Sequence, residues 1–345
     1  MTSTVIVDAM GGDSPLEVPV RAALDLCKEQ RDLKIILTGS ENEIKNIIKG
    51  SVPRNIHIVN AEEEILMDDP PAIAFRKKQN SSIHKAMDLL IKNEGDAFFS
   101  AGNTGAIVTT GFFKSGLIEG VSRPALATVY PSITNHKLVV LDLGATIEPK
   151  PENMRDYALL GAVLSSLITG KEKPAVSILN VGSEDNKGSR LVIESANMIR
   201  NSTDLNFIGF IEGNELFVDP KADVVVTDAF TGNITLKTVE GLNETIRTML
   251  RSKIAPPKWG KIGNFFFKGI FGETLGKFQY NLYGAAFLLG VNHLIGVGHG
   301  RSNESAFRNA VLRLKRNVEK DFMNKLKEKV LENISEQKKI RDTLQ

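Results

Sequence analysis

The chain has 345 residues, 42% of them hydrophobic and 24% charged, with 43 basic against 41 acidic side chains and a formal net charge of +2. A chain of this size buries a sizeable core without staples. The near-neutral balance argues against a nucleic-acid partner, and the single cysteine, Cys27, excludes an intramolecular disulfide framework and a cysteine-built zinc site.

The sequence enters its first apolar run directly, without a signal-type leader, and no window approaches the roughly 18 consecutive apolar residues of a membrane span. A reducing, cytoplasmic setting is expected. Short apolar runs predict strands at Thr4–Asp8, Lys34–Thr38, Ile56–Asn60, Ala97–Ser100, Ala125–Tyr130, Leu138–Leu143, Ala175–Val181, Asn206–Ile211, Val224–Thr227 and Leu294–Val297. Most are followed by glycine or small polar residues and then an amphipathic helical pattern. Such alternation predicts an α/β fold with a largely parallel sheet covered by helices on both faces, and ligands outside the carboxyl ends of its strands. From Ser302 onward, Phe307, Val311, Leu314, Val318, Phe322, Leu326 and Val330 recur at helical spacing and predict one long helix. With no repeat, linker or domain boundary, residues 1–335 read as a single catalytic domain and 336–345 as a polar tail.

The strand-to-helix loops carry the candidate chemistry. Asp8-Ala9-Met10-Gly11-Gly12-Asp13 holds two carboxylates, which make a poor phosphate cradle but can orient a lysine, a cation or backbone amides; it also reads as a tight turn. In Ser100-Ala101-Gly102-Asn103-Thr104-Gly105, small residues let a ligand approach the backbone and Asn and Thr add donors, or simply cap a helix. Asp142-Leu143-Gly144-Ala145 positions a nucleophile or caps the next segment. In Asn180–Gly188, Lys187 is either a point charge for an anion or a solvated surface lysine.

The most informative stretch is Asp223–Gly241. Three valines form a buried strand, Asp228 ends it, Thr231-Gly232-Asn233 makes a short turn, and Leu236, Val239 and Leu242 predict a helix. Outward N–H groups and the helix dipole suit a phosphate or a developing oxyanion there. Gly298-His299-Gly300-Arg301-Ser302, with Gly296, imitates a dinucleotide fingerprint, but Arg301 occupies the third glycine position and no strand follows. Walker A, GxSxG and HExxH patterns are absent, and Cys27 has no histidine near it in sequence. Acyl or phosphoryl chemistry on this chain would proceed by direct attack.

Residues 253–279 form an insertion with Trp259, Ile262, Phe265, Phe266, Phe267, Ile270 and Phe271. Its five lysines against Glu273 give about +4. Basic residues interleaved with bulky apolar ones suit an interfacial helix on an anionic bilayer, with Trp259, Phe265, Phe266 and Phe267 as membrane contacts. A buried dimer interface is the other reading.

Taken in order, DAMGGD, SAGNTGA, LDLGA, LNVGSEDNKG, TDAFTGN followed by LKTVEG, and YGAAFLLGVN with its trailing HG resemble the PlsX family of phosphate acyltransferases over roughly residues 4 to 330. The resemblance implies a three-layer α/β/α fold like that of isopropylmalate dehydrogenase and phosphotransacetylase, a homodimer, and association with the inner membrane surface. It implies transfer of an acyl group from acyl-[acyl carrier protein] to inorganic phosphate, without cofactor or metal. The product would pass to a membrane-bound glycerol-3-phosphate acyltransferase. On this reading Ser100, Gly102, Asn103, Thr104, Gly105, Thr231 and Gly232 contact phosphate, and Asn233 donates to the tetrahedral oxyanion. Lys187, matching the family's lysine, neutralises phosphate or the intermediate. Asp8, Asp13 and Asp228 orient these donors, and Gly11, Gly12 and His299 complete the substrate site. The sequence departs from the family pattern at Ser14, usually histidine, and at Ala229 and Ala285, usually glycine. A phosphotransacetylase-like enzyme using acyl-CoA and a non-catalytic membrane scaffold are the competing readings.

Overall fold

The computed structural model describes residues 2–132, 134, 136–202, 204–218, 220–254 and 285–344. In chain order the first half holds β1 (Ser3–Asp8), α1 (Glu17–Glu29), β2 (Leu33–Gly39), α2 (Glu41–Ile48), β3 (Ile56–Asn60), α3 (Pro71–Lys77), α4 (Ser82–Ile91), β4 (Ala97–Ser100) and α5 (Thr104–Thr110), which continues into a π-helical turn, Gly111–Ser115. Then come β5 (Ala125–Pro131), β6 (Lys137–Leu141), α6 (Pro151–Thr169), β7 (Ala175–Leu179), α7 (Arg190–Arg200), β8 (Asn206–Ile211), β9 (Val224–Val226) and α8 (Ala229–Ile254). The chain closes with β10 (Ala286–Leu289), β11 (Leu294–Val297), α9 (Glu304–Glu319) and α10 (Phe322–Leu344).

Among the described residues these strands form one sheet in the order β3-β2-β1-β4-β11-β10-β5-β6-β9-β7-β8. The strands β3, β2, β1, β4 and β11 pair parallel, as do β6, β9, β7 and β8. Between these sets β10 is antiparallel to both β11 and β5, and β5 is antiparallel to β6. The two parallel sets therefore run in opposite directions within one continuous sheet.

Strands buried on both faces read as unbroken apolar runs, as in β9, where Val224, Val225 and Val226 are all fully buried. One face of the sheet packs against α1, α6, α7, α9 and α10 through residues such as Val20, Leu26, Tyr157, Val192, Phe307 and Leu326. The other packs against α4, α5 and α8 through Ile83, Met87, Ile107 and Leu236. The result is the expected three-layer α/β/α arrangement.

Three details differ from the sequence expectation. Strand β10, inside the YGAAFLLGVN run, was not among the predicted strands. The long terminal helix is two helices, because the chain breaks at Asp321, which takes φ 53°. The Thr231-Gly232-Asn233 turn is already helical, since α8 starts at Ala229. The aromatic-basic insertion from position 255 on, with Trp259, Phe265, Phe266 and Phe267, lies outside the described residues. Among the described residues no helix is long and apolar enough to cross a membrane.

Candidate active site

The loops after β1, β4 and β11, three adjacent strands, knit into a first cluster. Asp8 is completely buried; its carboxylate accepts the Ser100 hydroxyl at 2.6 Å and the Met10 amide at 3.1 Å. Burial raises its pKa, with the bonds from Ser100, Ser82 and the backbone opposing. Ser100 Oγ in turn accepts the Gly102 amide at 3.0 Å. Gly11 has no room for a side chain: a Cβ there would stand 2.3 Å from Asp8 Oδ2 and 2.8 Å from the Gly102 nitrogen. Gly12, at φ +100°, passes between the carbonyls of Ala101 and Gly300. Asp13 donates its amide to the Gly300 carbonyl at 2.8 Å, and Ser14 donates its hydroxyl to the Ser302 carbonyl at 2.7 Å. Ser14 is thus a strut between two loops.

Asn103 takes the capping alternative of the two readings. Its Oδ1 accepts the Ala106 amide at 3.0 Å and caps α5, while its Nδ2 donates to the carbonyls of Leu66, Met67 and Asp69 at 3.0–3.1 Å. These bonds occupy the side-chain amide, and it is buried, so it organises the loop rather than presenting a donor to phosphate. Beside it, a Cβ on Gly105 would meet Pro71 at 2.4 Å. Thr104 and Gly105 are half-buried at this rim. The Leu66–Pro71 segment was missed as part of the site. Pro70-Pro71 at the start of a helix was the only local signal.

The loops after β6, β9 and β7, again adjacent strands, make a second cluster. Asp142 is fully buried. Its Oδ1 accepts the amides of Leu126, Gly144 and Ala145, and its Oδ2 accepts that of Thr146, all at 2.8–3.0 Å. Burial nevertheless pushes its carboxyl up to about 6, outweighing these donors. Asp228 caps α8: Oδ1 accepts the Thr231 amide at 2.9 Å and Oδ2 the Thr231 hydroxyl at 2.7 Å. Gly232 lies flat against the neighbouring loop, where a Cβ would fall 2.0 Å from the Asp142 carbonyl oxygen. Asn233 is exposed at the amino end of the same helix. In the third loop Asn180 Nδ2 bonds the carbonyls of Gly182 and Lys187 at 3.1 and 3.0 Å, and Lys187 Nζ lies 2.6 Å from Glu184 Oε1. Lys187 is about half exposed, so its ammonium is held at the surface by a carboxylate that an anion can replace.

The structure thus brings Asp8, Gly11, Gly12, Asp13, Ser100, Gly102, Asn103, Thr104, Gly105 and His299 into one cluster. Asp228, Thr231, Gly232 and Asn233 form another, and Lys187 lies in the loop after the neighbouring strand β7, paired within that loop to Glu184. Because the two sets of strands run in opposite directions, the clusters lie at opposite edges of the sheet; their nearest strands, β11 and β6, are three positions apart, about 14 Å at the usual spacing. The helix α8 connects them. It starts at the second cluster, and Glu240, a residue that sequence reasoning missed, places Oε2 3.4 Å from Nε2 of His299 in the first. His299 Nδ1 accepts the Arg301 amide at 3.1 Å. Lys237 also reaches Glu240, at 2.9 Å. Among the described residues no group of His, Cys, Asp and Glu is placed to hold a metal ion.

The chain is similar to phosphotransacetylase from Streptococcus pyogenes, with a TM-score of 0.59 and 19% identity over 92% of this chain and 94% of that one. It is similar to a branched-chain phosphotransacylase from Enterococcus faecalis, with a TM-score of 0.53 and 13% identity over 92% and 99%. These likenesses bear on the fold. In sequence, the phosphate acyltransferase of Dictyoglomus thermophilum is 39% identical over 334 residues, 96% of this chain and 97% of that protein. The phosphate acyltransferase of Brevibacillus brevis is 36% identical over 329 residues, 95% and 98%. Residues 3–325 match the model of the family described as fatty acid synthesis protein. The chain belongs to that family, and its relatives within it are phosphate acyltransferases.

Proposed function

We propose that the chain catalyses acyl transfer from acyl-[acyl carrier protein] to inorganic phosphate, by direct attack and without an acyl-enzyme. The observation that carries this reading is the second cluster. Three adjacent strands deliver, to one edge of the sheet, the amino end of α8, the exposed Asn233 amide and the Lys187 ammonium. A phosphate oxygen attacks the thioester carbon and the carbonyl π pair moves onto oxygen. Asn233 donates to that oxyanion, and Lys187 balances the charge on phosphate. When the carbonyl re-forms, the C–S bond breaks and the thiolate leaves, taking up a proton from water. A thiol pKa of about 8.5 makes the thiolate an adequate leaving group. Phosphate is already an anion, so alignment, desolvation and oxyanion stabilisation are what the protein supplies.

The first cluster, whose Ser100–Gly105 loop the sequence assigns to phosphate, receives in this proposal the pantetheine arm instead, and α8 runs from there to the reacting carbonyl. Homodimer formation, and a cytoplasmic chain lying on the inner membrane surface through Trp259, Phe265, Phe266 and Phe267, belong to the same proposal. So does hand-over of the acyl phosphate to a membrane-bound glycerol-3-phosphate acyltransferase, because the apolar product favours transfer at the bilayer. The likeness to phosphotransacetylases favours a second reading in which acyl-CoA is the donor. Release of free carrier protein from acyl-[acyl carrier protein], dependent on added phosphate, tests the first; release of CoA alone from parallel assays replaces it with the second. An acylated protein detected by mass spectrometry would contradict direct attack.

A further inference from the structure

The segment that wraps the outside of the first cluster also faces solvent. Leu66, Met67 and Asp69 are tied to it through Asn103, and Pro71 packs on Gly105. On α3, Ile73 is 53% exposed, and Arg76 and Lys77 follow one helical turn later on the same side. Next to α3, Phe113 on the π-helical turn is 63% exposed, stacked on Phe75 with ring centroids 5.1 Å apart.

The other cations here are occupied. Lys78 is bound to Asp69, Lys114 to Asp88 at 2.6 Å, and Lys85 to Asn80 at 3.0 Å. Arg76 and Lys77 carry no ion pair or side-chain hydrogen bond among the described residues. Around α3 the unpaired Arg76 stands between Ile73 and the Phe75–Phe113 stack, with Lys77 beside Ile73, so cations and exposed apolar side chains alternate over the outward side of this short helix. An acidic helical face with apolar residues of its own complements this pattern: the cations steer and orient, and the apolar side chains bury area.

We infer that this face, formed by Ile73, Arg76, Lys77 and Phe113, docks the acidic protein that carries the acyl group. The inference rests on the reading that the donor is a carrier protein and adds where that protein sits. A donor seated there has its arm rooted beside Gly105 and the first cluster, from which α8 leads to Asn233. Lys187, by contrast, lies on the other set of strands and is left to the phosphate.

Fluorescence anisotropy of labelled acyl-[acyl carrier protein] with the full chain, at low and at physiological salt, tests the surface. Arg76→Glu with Lys77→Glu should raise Kd about tenfold or more at low salt. Arg76→Gln with Lys77→Gln should raise it less, and Ile73→Ser should raise it at both salts. Lys173→Glu, an exposed lysine far along the sheet, should leave it unchanged. In turnover, the double reversal should raise KM for acyl-[acyl carrier protein] in step with Kd while leaving kcat and KM for acyl-pantetheine unchanged. An unchanged Kd, or an equal loss with acyl-pantetheine, overturns the surface. Carrier binding that responds to Arg76 and Lys77 without any phosphate-dependent carrier release would overturn the proposed reaction and leave the surface standing. Phosphate-dependent release indifferent to both charges would do the reverse.

Discussion

Glu240 Oε2 lies 3.4 Å from His299 Nε2, so the middle of α8 is fastened to the loop that follows β11. Ala229 and Glu240 are about 17 Å apart along the helix at its usual rise. That length carries the chain from the second loop cluster to the rim of the first, across the strands where the sheet changes direction. This contact ties the helix that begins at one cluster to a loop of the other.

Burial works to raise the Glu240 pKa, but His299 and Lys237 outweigh it and hold the carboxyl below the usual range. A folded-state value below the unfolded one, about 4.3, adds stability above that pH, and the gain is lost as pH falls through the folded value. Glu240→Gln should therefore cost on the order of 1 kcal/mol at pH 7 and little at pH 3. Urea midpoints at the two pH values measure this, and an equal loss at both would refute the charge argument.

Asp142 carries the opposite sign. Its carboxyl is raised to about 6 by burial, so its contribution is complete below the unfolded value and is lost as pH rises through the folded one. Wild-type stability should fall relative to Asp142→Asn between about pH 4 and pH 6. At pH 4 the variant should be the weaker by about 2 kcal/mol, because an amide nitrogen then faces buried N–H donors, and the gap should narrow as pH rises to 6. Parallel stability-against-pH curves for the two proteins would rule out titration of this group in that window.

Two glycines of α8 should respond oppositely to the same change. A Cβ on Gly241 meets nothing within 4 Å, so Gly241→Ala should stabilise by up to about 1 kcal/mol through helix propensity. At Gly232 the new carbon would sit 2.0 Å from the backbone oxygen of Asp142. A backbone oxygen cannot swing aside, so Gly232→Ala should destabilise by about 1–3 kcal/mol and shift the loop bearing Asp142. Thermal melts of both variants decide it; a gain at Gly232 would mean that the two loops are not in contact.

Asn103→Ala should behave as a structural lesion. It removes the α5 cap and frees three carbonyls, a loss of about 2–4 kcal/mol. The KM for phosphate in the folded fraction should stay near that of the wild type. A specific rise in that KM with unchanged stability would return Asn103 to the role its sequence context suggested.

That reassignment shows what the sequence could carry. The run VVV, the helical period of Phe307, Val311 and Leu314, and the small-residue loops all record local burial and local turns, and the layers and loop positions follow from them. Strand direction is not written in a period of two, so the antiparallel insertion of β10 and the opposed halves were out of reach. The partners of Asn103 lie 34 to 37 residues away, and the Asp142 donors come from both sides of a hairpin. Glu240 looks like any acid on a helix until His299, brought by the end of the chain, stands against it.

Asn233 and Lys187 are the complementary case, exposed side chains whose removal disturbs little. Asn233→Ala deletes no buried bond, and Lys187→Ala breaks a pair with Glu184 that is half exposed, worth about 0–1 kcal/mol at most. If Asn233 supplies an oxyanion donor, its loss should lower kcat about a hundred- to a thousandfold while KM for the acyl donor holds. If Lys187 neutralises phosphate, its loss should fall mainly on KM for phosphate, and Lys187→Arg should recover part of it as a charge of the same sign. Steady-state kinetics with phosphate and acyl donor varied separately divide the two roles. Near-normal turnover in both alanine variants, with folding intact, would move the chemistry away from the amino end of α8.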